Sequence, residues 1–234
     1  MKPQIFITGG SGYIGSRLIK KLLEEGGYRI HALVRRGSEN KLPEGCNIIY
    51  GNALDAGSYK YGIPNGSVFI HLVGVPHPSP AKKELFKKID AVSIQQAVSA
   101  ARDRHVSHFI YLSVSQYPSG IMREYQLVRA AGEALLKQSG FGASIIRPWY
   151  VIGPGRWWPV LLKPFFWLAS LIPSWAAKAK HFDTVTIEQM INTLMVAVKN
   201  TAAGIKHYEI EDIRQQQYQP YRLPAAFWTM PKVQ

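Results

Sequence analysis

Cysteine is nearly missing from these 234 residues: Cys46 is the only one, so no intramolecular disulfide framework can form. That fits a reducing compartment. Acidic residues are scarce too. Fifteen Asp and Glu stand against 28 Lys and Arg, leaving a formal net charge of +13. The basic residues are nevertheless spread out, with no run of five. Helix-turn-helix, zinc-finger and RNP patterns are absent, and charge is only the first mark of a nucleic-acid binder. Nucleic acid is therefore not an expected partner. The charge suits anionic ligands or surfaces, such as phosphorylated cofactors or anionic lipid. The seven histidines lie scattered, none at metal-ligand spacing, so no metal is expected.

Two further absences bear on location. The N-terminus, "MKPQIFITGG", enters a strand-like run at once, without the apolar core and small-residue cleavage site of a signal peptide. The chain reads as cytoplasmic. No apolar run continues far enough to cross a membrane. The nearest approach is the aromatic stretch 156–176, where Pro159, Lys163, Pro164 and Pro173 interrupt it, against a transmembrane helix. Three readings remain for this stretch. It caps a pocket for an apolar or aromatic substrate, lies peripherally in a membrane interface, or forms a partner or homodimer surface. The first, combined with core packing, is preferred.

What is present is an alternation of strand-like and helix-like segments. Strands are read at 4–8, 29–34, 47–50, 67–73, 107–114, 143–147 and 206–210. Helices are read after the first glycine cluster, over 83–103, over 121–138 and near 186–199. Repeated strand–helix–strand units imply an α/β fold, a Rossmann-type doubly wound parallel sheet with helices on both faces. Residues 1–213 form one domain, including a small C-terminal lobe built from loops over about 153–185, and 214–234 form a tail.

The loop "TGGSGYIG" places Gly9, Gly12 and Gly15 three apart between a strand and a helix. Gly9 permits the tight turn, Gly12 lets backbone approach a pyrophosphate, and Gly15 lets the helix pack on the strand. The helix N-terminus then offers free N–H groups to phosphate. Ser11, Tyr13 and Ile14 complete this cofactor-binding stretch. At the end of the second strand an NAD site usually carries an acid on the ribose 2′-hydroxyl. Here Arg35 and Arg36 stand instead. A guanidinium fork suits a 2′-phosphate, so NADP(H) is expected over NAD(H); the plainer alternative is two solvated arginines.

With these residues, and with "GNALD" (51–55), "HLVG" (71–74), "YLSVS" (111–115), "YQLVR" (125–129) and "SIIRPWYVIGPG" (144–155), the chain resembles the atypical short-chain dehydrogenase/reductase group, the NAD(P)H-binding, NmrA-like and epimerase-like proteins. The resemblance implies that Asn52 and Ala53 meet adenine and that Leu72, Val73 and Gly74 line ribose and nicotinamide. It also implies that Pro148 through Val151 close over the nicotinamide. Reductases of the group use a serine that orients the carbonyl, a tyrosine that gives the proton, and a lysine that lowers the tyrosine pKa and binds ribose. Ser113 and Tyr125 match in place, with Ser115 a second candidate serine.

At the lysine position stands Arg129, four residues after Tyr125 and so on the same helix face. Arginine keeps a charge beside a tyrosinate and can fork onto ribose hydroxyls, but it does not deprotonate. The plainer alternative is a helix-surface ion pair of Arg129 with Glu133 or Glu124. His71 reads as a strand residue. His77, on the loop beyond, is a lesser candidate for substrate contact.

Three functions follow from the resemblance. The first is an NADP(H)-dependent oxidoreductase for a small apolar or aromatic carbonyl or enone. The second is a non-catalytic NADP(H)-binding sensor, regulator or assembly factor. The third is an epimerase- or dehydratase-like enzyme.

Overall fold

Continuous apolar strands need cover on both faces, which a parallel sheet between helix layers provides. The computed structural model describes residues 2–120, 122–155, 184–201 and 203–216, and within them this is the arrangement found. Seven strands lie in the order β3–β2–β1–β4–β5–β6–β9, and all six neighbouring pairs are parallel. They are β1 (Gln4–Thr8), β2 (Arg29–Val34), β3 (Asn47–Tyr50), β4 (Val68–His71), β5 (His108–Leu112), β6 (Ala143–Ile146) and β9 (Ile205–Tyr208). The expected Rossmann-type fold is the one observed.

Strand alternation sorts the core into two layers. Ile5, Ile7, Ile70, Ile110 and Ile146 face helix α1 (Tyr13–Glu25) and helix α5 (Ile187–Lys199). Phe6, Phe69, Phe109 and Tyr111 face helix α3 (Val92–Asp103) and helix α4 (Arg123–Ser139). The second layer is aromatic. Phe69 lies 5.1 Å from Phe6 and stacks at 4.9 Å on Phe109, ring centroid to centroid.

Helix ends follow their sequence signals. Gly26, at φ 72°, closes α1 by donating its N–H to Leu22 and Leu23, and Gly140 ends α4 in the left-handed conformation. Thr186 opens α5 with a capping box: its hydroxyl accepts from the Gln189 N–H, and Gln189 accepts from the Thr186 N–H.

The structure departs from the sequence reading in four places. First, the strands at 67–73 and 107–114 are shorter, at Val68–His71 and His108–Leu112, because the chain leaves both ladders to build the cleft below. Second, the helix over 83–103 is divided. A short turn, α2 (Lys83–Leu85), leads into a π-helical segment, Phe86–Ala91, before α3. Third, Tyr150–Ile152 (β7) and Thr184–Thr186 (β8) form a separate parallel pair, each too short to show a period. Fourth, helix α6 (Ile210–Gln215) begins where a strand was read to end. Its N-terminus is capped by acids, with the Glu209 N–H donating to Asp212, a form the usual Ser/Thr signal does not reveal. The stretch 156–176, most of the expected lobe and nearly all of the tail lie outside the described residues.

Phe69 is fully buried between two rings. Phe69→Ala is expected to cost about 3–5 kcal/mol in urea denaturation. A loss below about 1 kcal/mol would contradict the aromatic layer.

Candidate active site

The sheet order reverses between β1 and β4, and the carboxyl ends of strands at such a switch point are where open α/β sheets hold ligands. A cleft of about 490 Å³ opens there. Its floor is the glycine loop. Gly9, at φ +77°, would carry a Cβ 2.8 Å from the Leu72 carbonyl carbon, so the turn lies directly on the end of β4. A Cβ on Gly15 would run into the Gly9 carbonyl oxygen; the first turn of α1 therefore packs on the loop only because glycine is there. The Gly12 N–H donates to Gly9 O at 3.0 Å. Gly12 caps α1 without a side-chain hydrogen bond, and the first turn carries no acid. The helix thus presents its N–H groups and positive end to the cleft, which suits an anionic phosphate group.

Of the residues expected at a cofactor, Gly9, Gly12, Tyr13, Ile14 and Gly15 line the cleft from the loop. Leu72 and Gly74 line it from the end of β4, and Pro148 and Val151 from the segment after β6. Six do not. Ser11 and Val73 are half-buried and do not line it. Arg35 and Arg36 are exposed beyond β2, with the Arg36 guanidinium 4.8 Å over the Tyr50 ring. Ala53 is half-buried beyond β3. Asn52 is exposed, and its side-chain oxygen accepts from the Leu54 N–H at 3.1 Å, within its own turn.

The opposite wall holds Ser113, Tyr125 and Arg129 together. Tyr125 is half-buried, and its ring meets Phe86 at 4.9 Å. Burial raises its pKa. Arg129 opposes that and Asp90 adds to it, and the net direction is upward. The hydroxyl is therefore a protonated phenol around neutral pH.

Arg129 lines the cleft and is not half of a surface pair. Its side chain is 4% exposed, and Nη2 lies 2.6 Å from Asp90 Oδ1. Nη1 donates to Leu112 O at 2.9 Å, and Nη2 also reaches Val73 O at 3.4 Å. These contacts join the ends of β4 and β5 to the π-helical segment. Glu133 and Glu124, the partners considered from sequence, are not its partners. A buried cation needs a buried anion, and Asp90, itself fully buried, also accepts the Val75 N–H at 3.1 Å.

Ser113 likewise faces inward. It is buried, and its hydroxyl donates to Glu133 Oε1 at 2.6 Å. Glu133 is paired with Arg147, which also binds Glu209 at 2.6 Å. The Ser113 hydroxyl, which also lines the cleft, thus directs its proton at a carboxylate. Ser115 is buried as well. Its carbonyl accepts from Gln126 Nε2 at 2.7 Å, an amide that also fixes Tyr117 O.

The histidines divide as expected. His71 is wholly buried between Thr8 and Ser93, and burial, aided by Arg129, pushes its pKa down to about 3. His77 is exposed at the rim of the cleft, on a loop that Lys82 holds by donating to Pro76 O and His77 O. Among the described residues there is no metal-binding cluster and no helix long and apolar enough to cross a membrane.

Asp90, Arg147 and Glu209 were not singled out from sequence, and Glu133 was read only as a surface partner of Arg129. Each acts through a partner distant in the chain, and no local period marks such a pair.

The model of the NAD dependent epimerase/dehydratase family matches residues 5–188. The chain belongs to this family. Among curated members, a UDP-glucose 4-epimerase of Vibrio cholerae is 25% identical over 178 residues, 66% of this chain and 54% of that protein. A 4-hydroxy-2-methyl-3-oxo-4-farnesyl-3,4-dihydroquinoline-1-oxide ketoreductase of Stigmatella aurantiaca is 24% identical over 169 residues, 63% of this chain and 50% of that protein. The chain spans about half the length of these relatives. The solved structure of the Bordetella bronchiseptica enzyme WbmH in complex with NAD+ superposes with a TM-score of 0.64, at 19% identity, over 89% of this chain and 76% of that one. The last comparison carries the fold.

Gly74 lies against this buried pair, and a Cβ there would run into Arg129 Nη2. Gly74→Ala is expected to displace the guanidinium from Asp90 and to cost about 1–3 kcal/mol in urea denaturation. A variant as stable as the parent would contradict this packing.

Proposed function

We propose that this member of the epimerase/dehydratase family is an NADP(H)-dependent reductase of a carbonyl or enone in a small apolar or aromatic molecule. One observation carries the reading: a protonated Tyr125 faces a cleft that is apolar around it. The lining beside it is Val75, Pro76, Leu112, Val114 and Trp149. Reduction requires a proton donor, and a phenol, which holds its proton at neutral pH, supplies one beside a bound carbonyl. In epimerisation or alcohol oxidation the same oxygen would take a proton while an oxidised nicotinamide takes the hydride. The ketoreductase among the relatives acts on a farnesyl-bearing ketone, by its name, and supports an apolar substrate here.

The residues fit a dinucleotide, with the open N-terminus of α1 for its pyrophosphate. Arg35 and Arg36, exposed beyond β2, fit a 2′-phosphate, although the Glu39 carboxylate, bonded to its own turn and Tyr50, also feels the Arg36 charge. When bound, the reduced nicotinamide supplies hydride to the carbonyl carbon, or to the β-carbon of an enone. Tyr125 gives its proton to the substrate oxygen as negative charge develops there, and water at the cleft mouth restores it. The apolar wall excludes other water and keeps the carbonyl near the phenol. Ser113 stays bonded to Glu133 and holds the wall.

A second reading, a non-catalytic NADP(H)-binding protein, is favoured by the inward commitment of both Ser113 and Arg129.

Loss of NADPH absorbance across a panel of ketones, aldehydes and enones separates the two. Turnover is expected, with Tyr125→Phe lowering kcat by about 10²–10⁴-fold and with no alkaline loss of rate below about pH 10. Tight NADPH binding without turnover on any compound would favour the second reading. Equal affinity for NADH would remove the assignment of NADP(H), as would unchanged NADPH affinity in Arg35→Ser/Arg36→Ser.

A further inference from the structure

The cation at position 129 is so close to Tyr125 that, uncompensated, it would favour the tyrosinate. Its guanidinium carbon lies 5.3 Å from the centre of the Tyr125 ring and 5.7 Å from that of Tyr111. An opposite charge within such a distance ordinarily favours the ionised form. Asp90 lies closer to the guanidinium than either ring, at 2.6 Å. It is aimed there by the π-helical segment Phe86–Ala91, which also supplies Phe86 against the Tyr125 ring.

We propose that Asp90 is a positioning residue that offsets the charge of Arg129 at Tyr125 and so helps keep Tyr125 a protonated phenol, ready to give its proton to a carbonyl oxygen. The inference rests on the reading of Tyr125 as the donor and names what fixes its protonation state. The charged and titratable groups facing Tyr125 are few. Arg129 comes from α4, Asp90 from the π-helical segment and Tyr111 from β5. His71, from β4, is held neutral between Thr8 and Ser93, and His77 lies at the rim of the same cleft. Among the described residues, only the Asp90–Arg129 pair places full charges beside the phenol. Removing the anion while keeping the cation is therefore the change that should lower the Tyr125 titration. With a tyrosinate available, a substrate alcohol would lose its proton to Tyr125 Oη as its hydride passed to an oxidised nicotinamide, the reverse of the proposed reduction.

The test needs no substrate and no cofactor. Protein labelled with ¹³Cζ-tyrosine is titrated by NMR from pH 7 to 11, and the Tyr125 resonance is assigned by its loss in Tyr125→Phe. Asp90→Asn keeps the volume of the side chain and an acceptor for the Val75 N–H. It is expected to bring the Tyr125 transition down by about one pH unit or more relative to the parent. Asp90→Asn leaves a buried guanidinium without its counter-ion, so the same comparison is also made between Arg129→Lys and Asp90→Asn/Arg129→Lys. The lysine cation is smaller and can be held by the Leu112 and Val73 carbonyls. The same downward shift is expected. A Tyr125 transition that stays in place or moves up when Asp90 is replaced, in the folded pair of either comparison, overturns the proposal. A failure of the reductase reading shows differently, as an absence of NADPH turnover in a parent whose Tyr125 titration still responds to Asp90.

Discussion

A buried guanidinium must have its charge answered, and the answer organises this cleft. Arg129 projects from α4 under the ends of β4 and β5, where its side chain is 4% exposed and Asp90 lies 2.6 Å away. From that requirement the neighbouring features follow. Gly74 must be glycine because a Cβ would strike the guanidinium. The helix before α3 takes a π-helical turn at the place where Asp90 meets both Arg129 and the Val75 N–H. The ends of two strands are tied together through the carbonyls of Val73 and Leu112. Replacing one member of such a pair leaves the other unanswered, which ordinarily costs about 3–5 kcal/mol. The cleft wall therefore stands or falls as a unit.

The same economy holds one layer away. Ser113 donates to Glu133, Glu133 is clamped by Arg147, and Arg147 reaches Glu209. This chain of contacts runs from β5 through α4 and the end of β6 to the cap of α6. It fixes the Ser113 proton and leaves Tyr125 as the side chain best placed to give a proton to a ligand in the apolar part of the cleft. Burial raises the pKa of the phenol and Asp90 adds to this, while Arg129 opposes both. On the proposed reading, Tyr125 is a proton source rather than a base.

Much of the architecture was legible in the sequence because it is written in local patterns. Apolar runs such as "QIFIT" and "HFIYL" became central parallel strands. The glycine spacing of 9, 12 and 15 became a turn in which Gly9 and Gly15 have no room for a side chain. What was not legible depends on contacts between distant segments. The spacing of Tyr125 and Arg129 correctly put them on one helix face, but nothing near residue 129 names Asp90 as its partner. Ser113 sat at the expected strand end, yet its hydroxyl is claimed by Glu133, a residue whose pairing with Arg147 also leaves no periodic trace. The strands Tyr150–Ile152 and Thr184–Thr186 escaped notice because three residues show no alternation.

The central claim is that the cleft gives protons rather than takes them. It is tested most directly by running both directions side by side on one preparation of the unaltered protein. One reaction contains NADPH with apolar carbonyl compounds, followed at the nicotinamide absorbance. The other contains NAD+ with UDP-glucose, followed by chromatographic separation of the 4-epimers. The account predicts NADPH consumption in the first and no 4-epimer in the second. Interconversion of the UDP-sugars without carbonyl reduction would contradict it.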